Sequence, residues 1–209
     1  MRVEMTTMDS EEGQSWDDLY KKNDVKEIPW YEKNLDLGMG IELDSLEKGE
    51  FLDLGTGPGT QAIEIAEIGF KVTGSDISEN AIKKAKEVSN KVNFVVDNTL
   101  ESKFEENSFD HILDRGCFHI FSQNKRMEYL KYIKRILRKN GIVFLKCMSK
   151  KERDLSEDDG SQKFSEIEIR EYFEKDFEII KIKDTVYYGK VDPLPKALFV
   201  VMKKIESMP

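Results

Sequence analysis

Residues 51–60 read Phe-Leu-Asp-Leu-Gly-Thr-Gly-Pro-Gly-Thr, and this stretch decides the fold of the chain. Its first four residues are a short, mostly apolar run between glycines, which predicts a buried strand. Glycines then occupy positions 55, 57 and 59, and apolar residues recur at helical spacing from Thr60 onwards. Glycines let the main chain bend sharply and approach a ligand without interference from a Cβ atom. The stretch therefore predicts a strand, a ligand-binding loop and a helix in succession.

The same alternation continues towards the carboxyl terminus. Further apolar runs predict strands at 71–75, 92–96, 109–113, 142–148, 177–188 and 197–205. Helical patterns fall between them at 78–89 and 125–137, with Asn140-Gly141 as the stop of the second, and at 165–173. Strands separated by helices predict a doubly wound α/β sheet. The last two strands are joined by too few residues for a helical crossover, so we expect that pair to be antiparallel.

The first forty residues lie outside this alternation. Residues 1–13 are polar and acidic, a short helix is predicted at 16–20 with Ser15 as its cap, and another opens at Trp30-Tyr31 and ends near residues 38–40. We expect residues 1–40 to form a tail and a helical cover, and residues 41–209 to form the ligand-binding domain. The alternative for the aromatic side chains of this segment is simple packing on the core.

Composition restricts the function classes. The chain has 209 residues, and 33 basic against 41 acidic residues give a net charge of −8, which argues against a general nucleic-acid binder. No apolar run is long enough to span a membrane, and the start lacks the apolar core of a signal peptide. Two cysteines outside any metal-ligand spacing predict neither a disulfide framework nor a metal site. We expect a reduced, cytoplasmic protein, either a monomer or a homodimer.

Acidic residues end the predicted strands that follow the glycine loop. Asp76 comes 21 residues after Gly55, where a carboxylate can accept hydrogen bonds from ribose hydroxyls, and Asp97 can accept from an adenine amine. The alternatives are a helix cap for Asp76 and a turn residue for Asp97. The glycine spacing differs from the dinucleotide pattern and lacks the Gly-Lys-Ser/Thr of a phosphate-binding loop. The crevice therefore suits a ligand with ribose, adenine and positive charge.

At this point the sequence resembles the class I S-adenosylmethionine-dependent methyltransferases over residues 48–205. Residues 53–59 match the family's first motif, Asp76 and Asp97 match its ribose and adenine positions, and 109–121 with 140–141 look like its fourth and fifth motifs. The resemblance implies a seven-stranded Rossmann-like sheet of order 3-2-1-4-5-7-6 with strand seven antiparallel, and S-adenosyl-L-methionine as cofactor. The cofactor-binding residues expected on this basis are Trp16, Tyr20, Trp30, Asp53, Gly55, Thr56, Gly57, Gly59, Asp76, Ile77, Asp97, Asn98 and Asp114.

A narrower resemblance concerns the acceptor. Asp114-Arg115-Gly116, with Trp16 and Pro29-Trp30, is similar to small-molecule methyltransferases of the thiopurine, tellurite-resistance and halide/thiol type. It implies in-line methyl transfer to a thiol, halide, metalloid, amine or hydroxyl. Nucleic-acid acceptors are disfavoured because Asn-Pro-Pro-Tyr/Phe is absent after strand four. The alternatives are a protein methyltransferase, a non-catalytic cofactor-binding module and a nicotinamide-dependent oxidoreductase.

Two residues are candidates for catalysis. Asp114 would orient the cofactor's ammonium group or the acceptor, and its alternative is a salt bridge to Arg115. His119 is the candidate general base because histidine titrates near neutral pH, and its alternative is packing against neighbouring phenylalanines. Cys117 is interpreted as a small apolar wall residue of the site.

Overall fold

The computed structural model describes residues 12–154 and 161–205. Its strands are β1 Glu50–Leu54, β2 Lys71–Asp76, β3 Asn93–Val96, β4 Phe109–Arg115, β5 Leu137–Met148, β6 Phe177–Val186 and β7 Lys196–Lys204. Its helices are α1 Glu12–Lys22, α2 Leu37–Leu43, α3 Thr60–Glu67, α4 Glu79–Val88, α5 Gln123–Ile136 and α6 Glu166–Phe173, with short 3-10 turns at Val25–Glu27 and Phe118–Ile120.

All the strands form one sheet in the order β3-β2-β1-β4-β5-β7-β6. Only β7 runs against its neighbours, pairing antiparallel with both β5 and β6. The predicted α/β class, the strand order and the antiparallel seventh strand are therefore confirmed. None of the helices within 12–154 and 161–205 combines the length and apolar character that crossing a bilayer requires.

The core has two apolar layers because successive residues of a strand point to opposite faces of the sheet. Leu52 of β1 belongs to the cluster that contains the buried side chains of α5 and α6. Its neighbour Phe51 belongs to the other cluster, which contains those of α3 and α4. The carboxyl ends of β1 to β4 are held between these layers, and the loops after them build the site.

Two of the predicted helices begin at the side-chain caps that the sequence predicted. Ser78 accepts a hydrogen bond from the backbone N–H of Ala81 at 3.0 Å and begins α4. Ser165 forms a reciprocal capping box with Glu168 at the start of α6. Each cap satisfies backbone donors that the helix itself leaves unpaired.

The amino-terminal segment differs from the prediction. Ser15 lies inside α1, which begins at Glu12, and no helix begins at Trp30-Tyr31. The second helix begins instead after Asp36, whose carboxylate accepts from the backbone N–H of Gly38 at 3.2 Å. It continues through the predicted stop because Met39 and Leu43 are buried against the core. The predicted boundary between residues 40 and 41 falls inside this helix.

The predicted helix stop at Asn140-Gly141 is also wrong. Helix α5 ends at Ile136, and both residues lie inside β5. There the pairing of β4 with β5 shifts between Phe109 and His111, and Asn140 has a φ of 61°. Asn140-Gly141 therefore lies at an irregularity in the strand pairing. Asparagine and glycine tolerate the backbone conformation of such an irregularity as readily as that of a helix end. Residues 1–11, part of the predicted acidic tail, lie outside the described residues.

Candidate cofactor and acceptor site

A cavity of about 660 Å³ lies at the carboxyl ends of β1 to β4. All the predicted cofactor-binding residues except Gly59 and Asp114 line it, and so does the predicted base His119. The other wall combines side chains from the amino-terminal segment, from the start of α5 and from the loop between β6 and β7. The volume is in the range of sites that bind small molecules.

The glycine loop needs glycine for two reasons. Gly55 and Gly57 have φ angles of 67° and 54°, a left-handed conformation that other residues rarely adopt. In addition, a Cβ atom on Gly55 would lie 2.1 Å from Cys117 Sγ, and one on Gly57 would lie 2.6 Å from Tyr20 Oη. Neighbouring side chains therefore already approach the loop closely. The main chain is left as the wall of the cavity.

Gly59 has a different task. It also has a positive φ, 81°, but a Cβ atom there would lie 2.6 Å from Phe94 Cζ. Gly59 therefore permits close packing of the loop on the β3 side of the core. It lies outside the cavity lining, so the structure does not place it against the cofactor as predicted.

We predict that Gly57→Ala weakens binding of S-adenosylhomocysteine by tenfold or more, about 1.4 kcal/mol, because the new methyl group collides with Tyr20 Oη. Gly69→Ala is the matched control. Gly69 has a φ of 99° with open space around its Cβ position, so alanine there adds backbone strain without a collision. Calorimetric titration of both variants makes the comparison, and equal affinities would contradict the steric argument.

Asp76 supports the loop while lining the cavity. Its Oδ2 accepts from the backbone N–H of Gly57 at 2.8 Å, and its Oδ1 accepts from that of Ser78 at 2.9 Å. Burial raises the pKa of this carboxyl to about 6. Each carboxylate oxygen retains a second lone pair, so these contacts are compatible with ribose hydroxyls as further donors. The ribose role itself stays a prediction.

Two further carboxylates complete the acidic edge of the site. Asp53 Oδ2 accepts from the Thr56 hydroxyl at 2.6 Å, and burial raises the Asp53 pKa to about 6. Asp97 Oδ2 is buried and has no hydrogen-bond partner within the described ranges. Burial also raises the pKa of Asp97. A buried acceptor without a donor costs stability, and an adenine amine is a donor that fits it.

Asp114 does not occupy the predicted site. It is fully buried, it lies outside the cavity lining, and its two oxygens are already engaged. The donors are the backbone N–H groups of Gly116, Cys117 and Phe118 and the Tyr129 hydroxyl, at 2.9, 2.7, 2.9 and 2.7 Å. This geometry gives Asp114 a structural task in place of the predicted contact with cofactor or acceptor. The alternative of a salt bridge to Arg115 is not formed either.

His119 lies in the cavity wall with one ring nitrogen committed. Its Nδ1 is 3.2 Å from the Tyr187 hydroxyl, and that hydroxyl donates its hydrogen bond to the Lys146 carbonyl oxygen at 2.6 Å. His119 Nδ1 must therefore carry a proton, which leaves Nε2 as an acceptor in the neutral ring. Burial and the nearby Arg126 lower the pKa of His119 to about 3, so the ring is neutral at pH 7. Its role as a base stays a prediction.

A buried ionic cluster, which the sequence did not predict, lies beside the cavity. The Asp36 carboxylate accepts from Lys146 Nζ at 2.5 Å and from Arg115 Nε at 3.2 Å. Burial alone would raise the Asp36 pKa, but the two cations hold it below its usual value. Burial lowers the pKa of Lys146 to about 8. Asp36 and Lys146 are 110 residues apart, and no local pattern joins them.

The amino-terminal segment covers one side of the cavity. The rings of Trp16 and Trp30 meet edge to face with centroids 5.8 Å apart, and Tyr20 is buried beside them. Asp17 fastens α1 to the start of α4 by accepting from the Ser78 hydroxyl at 2.9 Å and from the Asn80 backbone and side chain at 2.8 and 2.7 Å. These contacts hold the aromatic side chains at the mouth of the site.

Comparison with known proteins places the chain in a family. A family model described as a methyltransferase domain matches residues 51–141. An uncharacterised methyltransferase of Schizosaccharomyces pombe is 35% identical over 113 residues, which span 52% of this chain and 77% of the relative. The chain belongs to the class I S-adenosylmethionine-dependent methyltransferase family. The enzyme class and the cofactor that the sequence predicted, S-adenosyl-L-methionine, are those of this family.

Another relative has a named acceptor, and a solved structure shares the fold. Human EEF1A lysine methyltransferase 2 is 31% identical over 143 residues, 62% of this chain and 57% of that protein. A methyltransferase from Anabaena variabilis has the same fold at a TM-score of 0.74, with 19% identity over 98% of this chain and 99% of its own. The structural comparison shows the fold alone, and the acceptor is left to the chemistry of the site.

Proposed function

We propose that this protein transfers a methyl group from S-adenosylmethionine to an amine nitrogen of a small molecule. The observation that carries the proposal is the charge of the covered cavity. Among the residues that the structure describes, six acidic and two basic ones line it: Glu32, Asp53, Asp76, Asp97, Glu101 and Glu128 against Arg115 and Lys125. A cavity of this sign attracts cations and repels the halides, thiolates and metalloid oxyanions that the sequence left open.

The cofactor supplies an electrophilic methyl group on a sulfonium, and the residues of the chain bind and align the two reactants. Asp76 and Asp97 hold the ribose and the adenine, and the main chain of Gly55 and Gly57 borders the methionine part. The acceptor reacts as the neutral amine, after its ammonium form has lost a proton to solvent, because the low pKa of His119 prevents that ring from taking the proton. The neutral amine donates a hydrogen bond to His119 Nε2, which orients the amine lone pair towards the methyl carbon. Alignment of this kind is the main requirement of an in-line displacement. The part of the amino-terminal segment within residues 12–40 covers the site and excludes water.

A panel of acceptors tests this proposal. The protein is incubated with radiolabelled methyl donor and ethanolamine, 2-mercaptoethanol, iodide, tellurite or phenol. We expect transfer to the amine to exceed transfer to the anionic acceptors by tenfold or more, as expected where like charges repel in a cleft. Faster transfer to iodide or to the thiol would overturn the amine assignment. Tight binding of the cofactor without turnover on any acceptor would favour the non-catalytic alternative.

Methylation of a protein lysine is the second candidate, because the human relative carries that activity in its name. A lysine side chain is itself an amine and suits the same acidic cavity. Labelling of a cell lysate, followed by gel electrophoresis, separates the two candidates. A single strongly labelled protein band together with unlabelled small amines would favour the protein acceptor.

A further inference from the structure

Of the two cations of the ionic cluster, Arg115 is the one that lines the cavity. It is the last residue of β4 and lies next to Lys146 in the sheet register. The preceding residue, Asp114, pairs with Leu54 at the end of β1, so Arg115 lies beside the start of the glycine loop. Its positive charge also lowers the pKa of Asp53 in that loop, although burial dominates there. The guanidinium is therefore placed at the methionine side of the proposed cofactor site.

Its hydrogen bonds leave part of the guanidinium unused. Nε donates to Asp36, Nη1 donates to the Trp30 carbonyl at 3.4 Å, and Nη2 donates to the Tyr188 carbonyl at 3.0 Å. A guanidinium has five N–H groups, so one remains on each terminal nitrogen without a partner in the described part of the chain. Two N–H groups on neighbouring nitrogens match the two oxygens of a carboxylate.

The charge balance of the cluster also calls for an anion. Arg115 and Lys146 bring two positive charges, and Asp36 brings one negative charge. Arg115 is 10% exposed, and Lys146 and Asp36 are 1% and 2% exposed. Buried charges are costly unless they are paired, so a second carboxylate arriving from the cavity would be strongly favoured.

We propose that Arg115 binds the carboxylate of the cofactor's methionine part, while Asp53 attracts its ammonium group. The two residues line the same cavity and carry opposite charges, as a zwitterionic amino-acid group requires. The inference rests on the proposed function, because it assigns this cation to that cofactor. It also links cofactor binding to the cover, since the same guanidinium holds Asp36 and the Trp30 carbonyl.

A pair of ligands isolates the carboxylate. S-adenosylhomocysteine and its decarboxylated analogue both contain the adenosine, the thioether and the amine, and they differ only in the carboxylate. We expect the wild-type protein to prefer S-adenosylhomocysteine by about 10- to 100-fold in calorimetric titration, as for a charge-assisted hydrogen bond. Arg115→Met should reduce this preference to about twofold, and Arg115→Lys should leave an intermediate preference. Arg138→Met, a distant arginine that pairs with Asp110, is the control and should retain the full preference.

The outcomes separate the inference from the proposed function. A wild-type protein that binds both ligands equally would overturn the role of Arg115, and the wild-type measurement needs no variant to fold. An unchanged preference for S-adenosylhomocysteine in folded Arg115→Met or Arg115→Lys would overturn the role of Arg115 as well. It would indicate that the unused N–H groups bind an anionic group of the acceptor. Failure of the wild-type protein to bind either ligand would instead overturn the proposed function.

Discussion

Replacing Asp114 by alanine is expected to lower the free energy of unfolding by about 3–5 kcal/mol, which is a large part of the stability of an ordinary domain. The substitution leaves two buried donors, the Phe118 N–H and the Tyr129 hydroxyl, and two partly buried ones, the N–H groups of Gly116 and Cys117, without their common acceptor. Each buried donor that loses its partner costs about 1–3 kcal/mol. Urea unfolding followed by circular dichroism measures the change.

Asp110→Ala on the same strand is the control for this experiment. Asp110 is partly exposed and accepts from Arg138 and from the backbone N–H of Glu50, so we expect a loss of only about 1 kcal/mol. Asp114→Asn retains the shape of the side chain but offers a donor where two donors already point. If Asp114→Asn were as stable as the wild-type protein and yet lost methyl transfer, the catalytic role predicted from the sequence would be restored.

Asp36→Ala is the second substitution with a large expected effect, again about 3–5 kcal/mol. It removes the carboxylate that Lys146 and Arg115 share and leaves a lysine that is 1% exposed without its counter-charge. The double variant Asp36→Leu with Lys146→Met replaces the pair by apolar side chains of similar size. We expect it to be more stable than Asp36→Ala, because breaking a buried ion pair costs more than removing it. Equal stabilities would show that the lysine was not held by Asp36.

The pH dependence of stability provides a separate readout. The two cations hold the Asp36 pKa below its usual value, although burial opposes them. A carboxyl with a lowered folded-state pKa contributes stability that is complete above the unfolded value, about pH 4, and is lost as the pH falls through the folded value. The difference in stability between wild type and Asp36→Ala should therefore shrink below about pH 4.

The parts of the fold that local chemistry determines were predictable. The strand at 51–54, the glycine loop and the Ser78 and Ser165 caps each depend on residues within a few positions of one another. The helix at 37–43 was missed because burial of Met39 and Leu43 outweighs the glycines that suggested a stop. Propensity is a weak guide where tertiary packing decides.

The site residues likewise divide into those that the local sequence predicts and those that depend on tertiary structure. The position of Asp76 and Asp97 in the cavity lining was predictable because carboxyl ends of parallel strands meet at one edge of the sheet. Asp114 satisfied the same rule but lies outside the cavity lining, because the turn after β4 folds back onto its oxygens, which the local sequence does not specify. The contact of Arg115 and Lys146 with Asp36 depends on tertiary structure between distant segments, which the spacing of residues does not encode.

The hydrogen bonds of Asp17 have a consequence for turnover. Ser78 and Asn80, which hold α1, follow closely after the carboxylate at position 76. Any opening of the cavity on the α1 side therefore has to break these hydrogen bonds. We expect the amide hydrogens of α1 to report this opening by exchanging with solvent as the helix detaches.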